Sequence, residues 1–201
     1  QEAKAAATLN NPNICTSHDS NEHEGQQFIV MEYVDGETLR KKIENQPLAI
    51  TQGIGYAIQI GEAFQGAHSR GTRHRDAKSE NIMVNSKSQI KVMDFGLAKL
   101  KGSVKLTKSS STTGTLAYMA PEQIQGAEID ARADIFSFGV VIYEMLTGHT
   151  PFRGDHEAAM IYSIVNEEPQ PINKFREDIS SELLHILDRA LEKDPEERYQ
   201  T

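Results

Sequence analysis

Tryptophan is missing from this 201-residue chain, cysteine occurs once, at Cys15, and aromatic residues make up only 6%. A single cysteine excludes a disulfide framework and a four-cysteine metal cage, and points to a reducing, cytoplasmic setting. Cations are in deficit as well: 21 Lys and Arg stand against 29 Asp and Glu, for a net charge of -8. That balance argues against nucleic acid or an anionic membrane surface as the main partner, because both reward an excess of Lys and Arg. Long apolar runs are also lacking. The longest, residues 135–146, contains Ser137 and is too short to cross a bilayer, so no membrane contact is expected of this region. What remains, 38% hydrophobic and 25% charged residues, is the composition of a globular protein long enough to bury a core. The chain opens on Gln1-Glu2-Ala3-Lys4 and stops at Tyr199-Gln200-Thr201, so both ends are expected to be cuts.

Local patterns predict an α+β chain. Alanine-rich residues 1–9 favour a helix that Asn10-Asn11-Pro12-Asn13 ends. Extended runs at 14–17 and 27–33, separated by polar residues 19–26, predict a hairpin. Helical periodicity follows at 37–44 and 51–68. Ile82-Met83-Val84, the polar turn Asn85-Ser86-Lys87-Ser88 and the alternating Ile90 and Val92 predict a second, antiparallel hairpin. Residues 97–115 are rich in Lys, Ser, Thr and Gly without periodicity and read as a functional loop. The segment 134–146 is apolar nearly all round, which predicts a central helix stopped by Gly148 and Pro151, and residues 179–191 predict another helix.

Closing the second hairpin brings Asn81, just before it, and Asp94, just after it, to one end. Two hard oxygen ligands there suit Mg²⁺. Asp76 lies five residues before Asn81, in His74-Arg75-Asp76-Ala77-Lys78, which sets an acid and a cation beside the metal site. Taken singly, such residues more often serve turns than catalysis. Taken in order, the series His74-Arg75-Asp76 with Lys78 and Asn81, then Asp94-Phe95-Gly96, then Ala120-Pro121-Glu122, then Asp134 and Arg198, resembles a protein kinase, and the wording is similar to that of bacterial serine/threonine kinases of the eukaryotic type.

The resemblance implies a two-lobe fold, with an incomplete small lobe over residues 1–34 and a mainly helical large lobe over 35–201. It implies ATP and Mg²⁺, with protein Ser and Thr hydroxyls as acceptors. Asp76 resembles the residue that takes or orients the hydroxyl proton, Lys78 the cation on the transferred group, and Asn81 and Asp94 the metal ligands. Met31 corresponds to the gatekeeper of the nucleotide pocket, the Glu32 carbonyl and Val34 N–H to the adenine-binding pair, Thr38 to a ribose neighbour and Met83 to the floor under adenine. Glu2 matches the helix glutamate that pairs with a strand lysine; that lysine and the Gly-rich loop would lie upstream, so the 201 residues alone are expected to have little activity. Arg75 would meet a phosphorylated residue within 107–113, a candidate autophosphorylation loop. Phe95 belongs to the metal-binding triplet, Thr115 would contact Asp76 and Lys78, Glu122 and Arg198 would form a buried pair, and Asp134 would brace the catalytic loop. Two rival readings are a pseudokinase or scaffold that binds partners without transfer, and an unrelated α/β nucleotide binder.

The scaffold departs from the resemblance. Family members carry apolar residues where this chain has Thr72, Arg73 and Ala77, and proline where it has Ser79. Gly53, Gly55, Gly61 and Gly66 interrupt the preceding helix, at about 1 kcal/mol each relative to alanine.

Overall fold

The computed structural model describes residues 11–23, 26–95 and 112–201. A two-stranded antiparallel ribbon, β1 (Ser17–His23) and β2 (Gln26–Met31), comes first. A three-stranded antiparallel sheet follows in the order β3 (Gly36–Thr38), β4 (Ile82–Asn85), β5 (Ile90–Val92). The helices are α1 (Leu39–Ile43), α2 (Ile50–His68), α3 (Thr112–Leu116), α4 (Pro121–Ile124), α5 (Ala131–Thr147), α6 (Glu157–Asn166) and α7 (Ser181–Ala190), with short 3₁₀ turns at Ser79–Asn81 and Ile172–Lys174. The α+β expectation holds. No helix among the described residues is long and apolar enough to cross a membrane.

Three local expectations are corrected. β1 occupies residues expected to be the polar link, while Ile14, expected to begin the strand, is buried and makes a parallel bridge to Val92. The reason is that β1 and β2 form an exposed ribbon: Phe28 and Val30 are open to solvent, so backbone pairing rather than an apolar face sets the strand. Residues 36–38, expected at a helix start, are a strand paired with β4, and the helix covers only Leu39–Ile43. Gly36 makes this possible, because a Cβ there would lie 2.1 Å from the Val84 carbonyl oxygen. Thr112–Leu116, expected in the long loop, is helical, while residues 1–10 and 96–111 lie outside the described residues.

α5 is the axis of the large lobe. Asp130 caps it by accepting the Arg132 N–H, and Gly148, at φ 74°, ends it in the left-handed conformation that glycine adopts without strain. α2 packs along it where Gly53 meets Leu146, with 2.8 Å between a notional Cβ and the Leu146 Cδ2. α7 packs where Gly139 faces Ala190 and Leu191. Gly66 in turn admits the side chain of Asn11, whose amide bonds the Glu62 carbonyl. Two of the four glycines in α2 therefore serve close approaches, whereas Gly55 has no neighbour within 4 Å of a notional Cβ. Phe136 and Val140 are fully buried on α5, and such side chains contribute about 1.5–3 kcal/mol each by leaving water.

Candidate active site

The loop after α2 takes its shape from a carboxylate on α5. Asp134, 1% exposed, accepts the His74 N–H (2.8 Å) and bonds His68 Nε2 (2.8 Å) through Oδ2, and accepts the Arg75 N–H (2.7 Å) through Oδ1. Burial alone would raise its carboxyl; the His68 hydrogen bond and the two backbone donors, Arg75 and His74, outweigh that and hold it below the usual carboxylate range. Arg75 sits at φ 67° and Asp94 at φ 62°, conformations that cost a non-glycine residue about 1–2 kcal/mol and persist only under firm anchoring.

His74 ties the two motifs together. Its Nδ1 accepts the Asp76 N–H (3.3 Å), so Nε2 carries the proton and donates to the Met93 carbonyl (2.8 Å). Phe95, 5% exposed, stands edge-on to His74 with centroids 4.7 Å apart and also touches Phe64. The Asn81 carbonyl accepts the Met93 N–H (2.8 Å) next to the Ile82↔Val92 pair, so the hairpin closes with Asn81 and Asp94 at its same end. Asn81, 8% exposed, turns its amide nitrogen to the Asp76 carbonyl (2.9 Å) and to Asp76 Oδ2 (3.3 Å). Lys78 Nζ lies 3.2 Å from Asp76 Oδ2 and donates to Thr115 Oγ1 at 3.0 Å. Asp76, Lys78, Asn81 and Thr115 are thus one connected cluster beside Asp94.

Glu122 and Arg198 meet in a bidentate pair at 2.7 and 2.8 Å. Arg198 is fully buried, donates also to the Arg132, Glu192 and Lys193 carbonyls, and faces the Phe136 ring. Met31 ends β2, and Glu32 and Val34 follow in the link to β3. Glu32 is held by Lys91 (2.8 Å) and by the Thr16 N–H (3.2 Å). Burial works to raise its carboxyl, and the Lys91 and Thr16 hydrogen bonds lower it on balance. Thr38 pairs with Met83 across β3 and β4, while its hydroxyl caps α1 by accepting the Lys41 N–H. Glu2 and residues 107–111 lie outside the described residues.

Several residues escaped the sequence reading. Gln123 donates to the Arg75 carbonyl (3.0 Å) and accepts the Ala120 N–H (2.9 Å), joining the loop to α4. Ser79, where family members have proline, is fully buried and shares a hydrogen bond with the Tyr118 hydroxyl (2.9 Å), which donates to Glu144 (2.7 Å); Glu144 also pairs with Arg40. The departure at Ser79 thus has a partner. Thr72 and Ala77 are buried as the apolar residues would be, and Arg73 reaches the Ile129 carbonyl.

The protein kinase domain family matches residues 1–201. The chain belongs to the protein kinase family. Its curated relatives are serine/threonine kinases: PknB of Mycobacterium leprae is 41% identical over 207 residues, covering the whole chain and 33% of the relative. A probable serine/threonine-protein kinase of Clostridium acetobutylicum is 41% identical over 201 residues, again covering the whole chain and 31% of the relative. The chain therefore spans about a third of the length of these relatives. Among solved structures, the PknI kinase domain of Mycobacterium tuberculosis superposes with TM-score 0.77 at 27% identity, covering 98% of this chain and 70% of that one. Rad53 in complex with AMP-PNP superposes with TM-score 0.82 at 31% identity, covering 98% and 50%. The protein kinase fold, with a small sheet lobe and a helical lobe, is shared. The family implies ATP as substrate and a divalent metal.

Proposed function

We propose that the protein bearing this chain is a serine/threonine protein kinase that transfers the γ-phosphoryl group of ATP to hydroxyls of protein substrates, with Mg²⁺ as the metal. The observation that carries the reading is the Asp76–Lys78–Asn81–Thr115 cluster, hung from Asp134 and zipped through Met93 to Asp94. The Asn81 amide oxygen and the Asp94 carboxylate are hard donors at one end of a hairpin, a set that fits Mg²⁺. Bound there, the ion neutralises phosphate charge. In transfer, the substrate oxygen bonds to the γ-phosphorus as the bond to the β,γ-bridging oxygen breaks and ADP leaves. The hydroxyl proton passes to the Asp76 carboxylate, whose position is set by Asn81 and Lys78. Lys78 presents its charge to the transferred group while Thr115 steadies it.

Met31, the Glu32 carbonyl, the Val34 N–H, Thr38 and Met83 form the nucleotide side in this reading, and Glu2 serves the small lobe. The division into residues 1–34 and 35–201 belongs to the same reading. Rad53, whose structure holds AMP-PNP, supports a nucleotide site in this fold. Arg75 would pair with a phosphorylated residue of the 107–113 segment, and the cytoplasm is the proposed setting. The test is transfer of labelled phosphate by the full-length protein: Asp76→Ala is expected to abolish it, and transfer unchanged by that substitution overturns the mechanism. Nucleotide binding with no transfer by the unsubstituted protein would favour a scaffold instead.

A further inference from the structure

Lys91 is placed in β5 opposite Met83, and Met83 in β4 opposite Thr38. Partners across antiparallel strands share a face, so Thr38, Met83 and Lys91 form one row on the sheet. Their neighbours Ile82, Val84, Ile90 and Val92 point the other way and are buried in the core. Lys91 is the charged member of that row, and it reaches out of the sheet: its ammonium lies 2.8 Å from Glu32 Oε1 and 3.0 Å from Oε2.

Glu32 is fastened on its other sides as well. Its N–H donates to the Thr16 carbonyl (2.8 Å), its Oε2 accepts the Thr16 N–H (3.2 Å), and the Cys15 thiol points at its carbonyl (3.6 Å). An exposed ion pair is worth little because each side chain must be ordered to form it. Here the ordering is already done. The carboxylate is clamped by a backbone donor, and the lysine rises from a strand whose flanking residues are fully buried.

We propose that Lys91 is a positioning residue for the nucleotide. By holding the Glu32 carboxylate it fixes the Glu32 carbonyl and the Val34 N–H, one edge of the adenine slot, relative to Met83 on its floor and to Asp94 three residues further along the chain. The proposal rests on the nucleotide-site reading above. It assigns Lys91 no contact with ATP and no part in phosphoryl transfer, so its loss acts on ATP affinity and spares the chemical step.

The test uses the full-length protein, with ATP affinity in the presence of Mg²⁺ read by calorimetry and phosphoryl transfer read separately. Lys91→Met is expected to weaken ATP binding about five- to tenfold, roughly 1.0–1.4 kcal/mol, and to raise the KM for ATP in parallel. The kcat is expected to stay within about twofold and the KM for the protein substrate to stay unchanged. Lys91→Arg, which keeps the ion pair, is expected to restore most of the affinity. Glu32→Gln is expected to match Lys91→Met, and the double variant to be no weaker than either, since both remove the same contact. Unchanged ATP affinity in Lys91→Met overturns the proposal. So does a fall in kcat with ATP affinity intact, or Lys91→Arg as weak as Lys91→Met. If Lys91→Met does not fold, Lys91→Arg and Glu32→Gln decide: unchanged ATP affinity in Glu32→Gln, or Lys91→Arg as weak as Glu32→Gln, overturns the clamp. Failure of the unsubstituted protein to bind ATP overturns the nucleotide-site reading and the proposal together, whereas binding without transfer overturns only the proposed kinase activity, and the affinity shift still decides the role of Lys91.

Discussion

Replacing Tyr118 by phenylalanine removes one oxygen from the middle of a buried chain of polar groups. The Tyr118 side chain is almost wholly buried, its hydroxyl donates to Glu144 at 2.7 Å, and it shares a second hydrogen bond with Ser79 at 2.9 Å. Burial first, then the Glu144 carboxylate, push the Tyr118 hydroxyl well above its ordinary pKa, so it remains a donor at any working pH. A hydrogen bond to a charged group contributes about 1.5–3 kcal/mol and a neutral one about 0.5–1.5 kcal/mol. Loss of both is therefore expected to cost about 2–4 kcal/mol, with Arg40 left to hold Glu144 from the solvent side. For a chain of this length that is a fall of roughly 4–16 °C in Tm. Ser79→Ala breaks the neutral bond to Tyr118 and a long 3.5 Å contact to Glu80 Oε2, and is expected to cost about 1 kcal/mol. Urea denaturation of the two single variants and the double gives a cycle, and a coupling of about 1 kcal/mol is expected between them. A Tyr118→Phe protein within about 0.5 kcal/mol of the parent, or strict additivity with Ser79→Ala, would refute the network as an energetic unit.

Arg198→Met leaves the Glu122 carboxylate buried without its cation and is expected to cost about 3–5 kcal/mol in urea unfolding; the double variant Glu122→Leu with Arg198→Met is expected to recover much of that. Asp134 has a folded-state pKa below its unfolded value of about 3.9, so it stabilises the fold above that pH, and the contribution is lost as pH falls through the folded value. The stability difference between the parent and Asp134→Asn is accordingly expected to be level from about pH 5 upward and to shrink below about pH 4, as urea midpoints across that range would report. Gly55→Ala, in mid-helix with open space around it, is expected to stabilise by about 0.5–1 kcal/mol, whereas Gly66→Ala meets the Asn11 amide at 2.5 Å and is expected to destabilise; thermal unfolding distinguishes the two.

Most of the candidate site was legible in the sequence because its members lie close together in the chain. Asp76, Lys78 and Asn81 occupy six residues, and the hairpin that carries Asp94 to Asn81 is marked by its alternation and polar turn. α5 was legible for another reason: a helix apolar on all sides has few places in a fold but the centre. The misplaced β1 shows the limit, since an exposed ribbon owes its pairing to the backbone and leaves no apolar pattern to read. Ser79, Tyr118, Glu144 and Arg40 were illegible as a group. Tyr118 is 39 residues from Ser79 and 26 from Glu144, and nothing in their spacing announces a contact. Ser79 read only as a departure until its buried partner was found.

The grip of Asp134 on the His74 and Arg75 amides joins residues about sixty positions apart. The two bonds exist only when α5 is already seated among α2 and α7, so the loop after α2 has no native geometry of its own to fall back on. Those two amides should exchange their hydrogens with water only when the helical lobe opens as a whole, and their protection then measures the stability of the entire lobe. A domain built this way loses the geometry of its candidate site and its core in one event. Substitutions deep in α5 would reach catalysis through the folding equilibrium while touching neither nucleotide nor substrate.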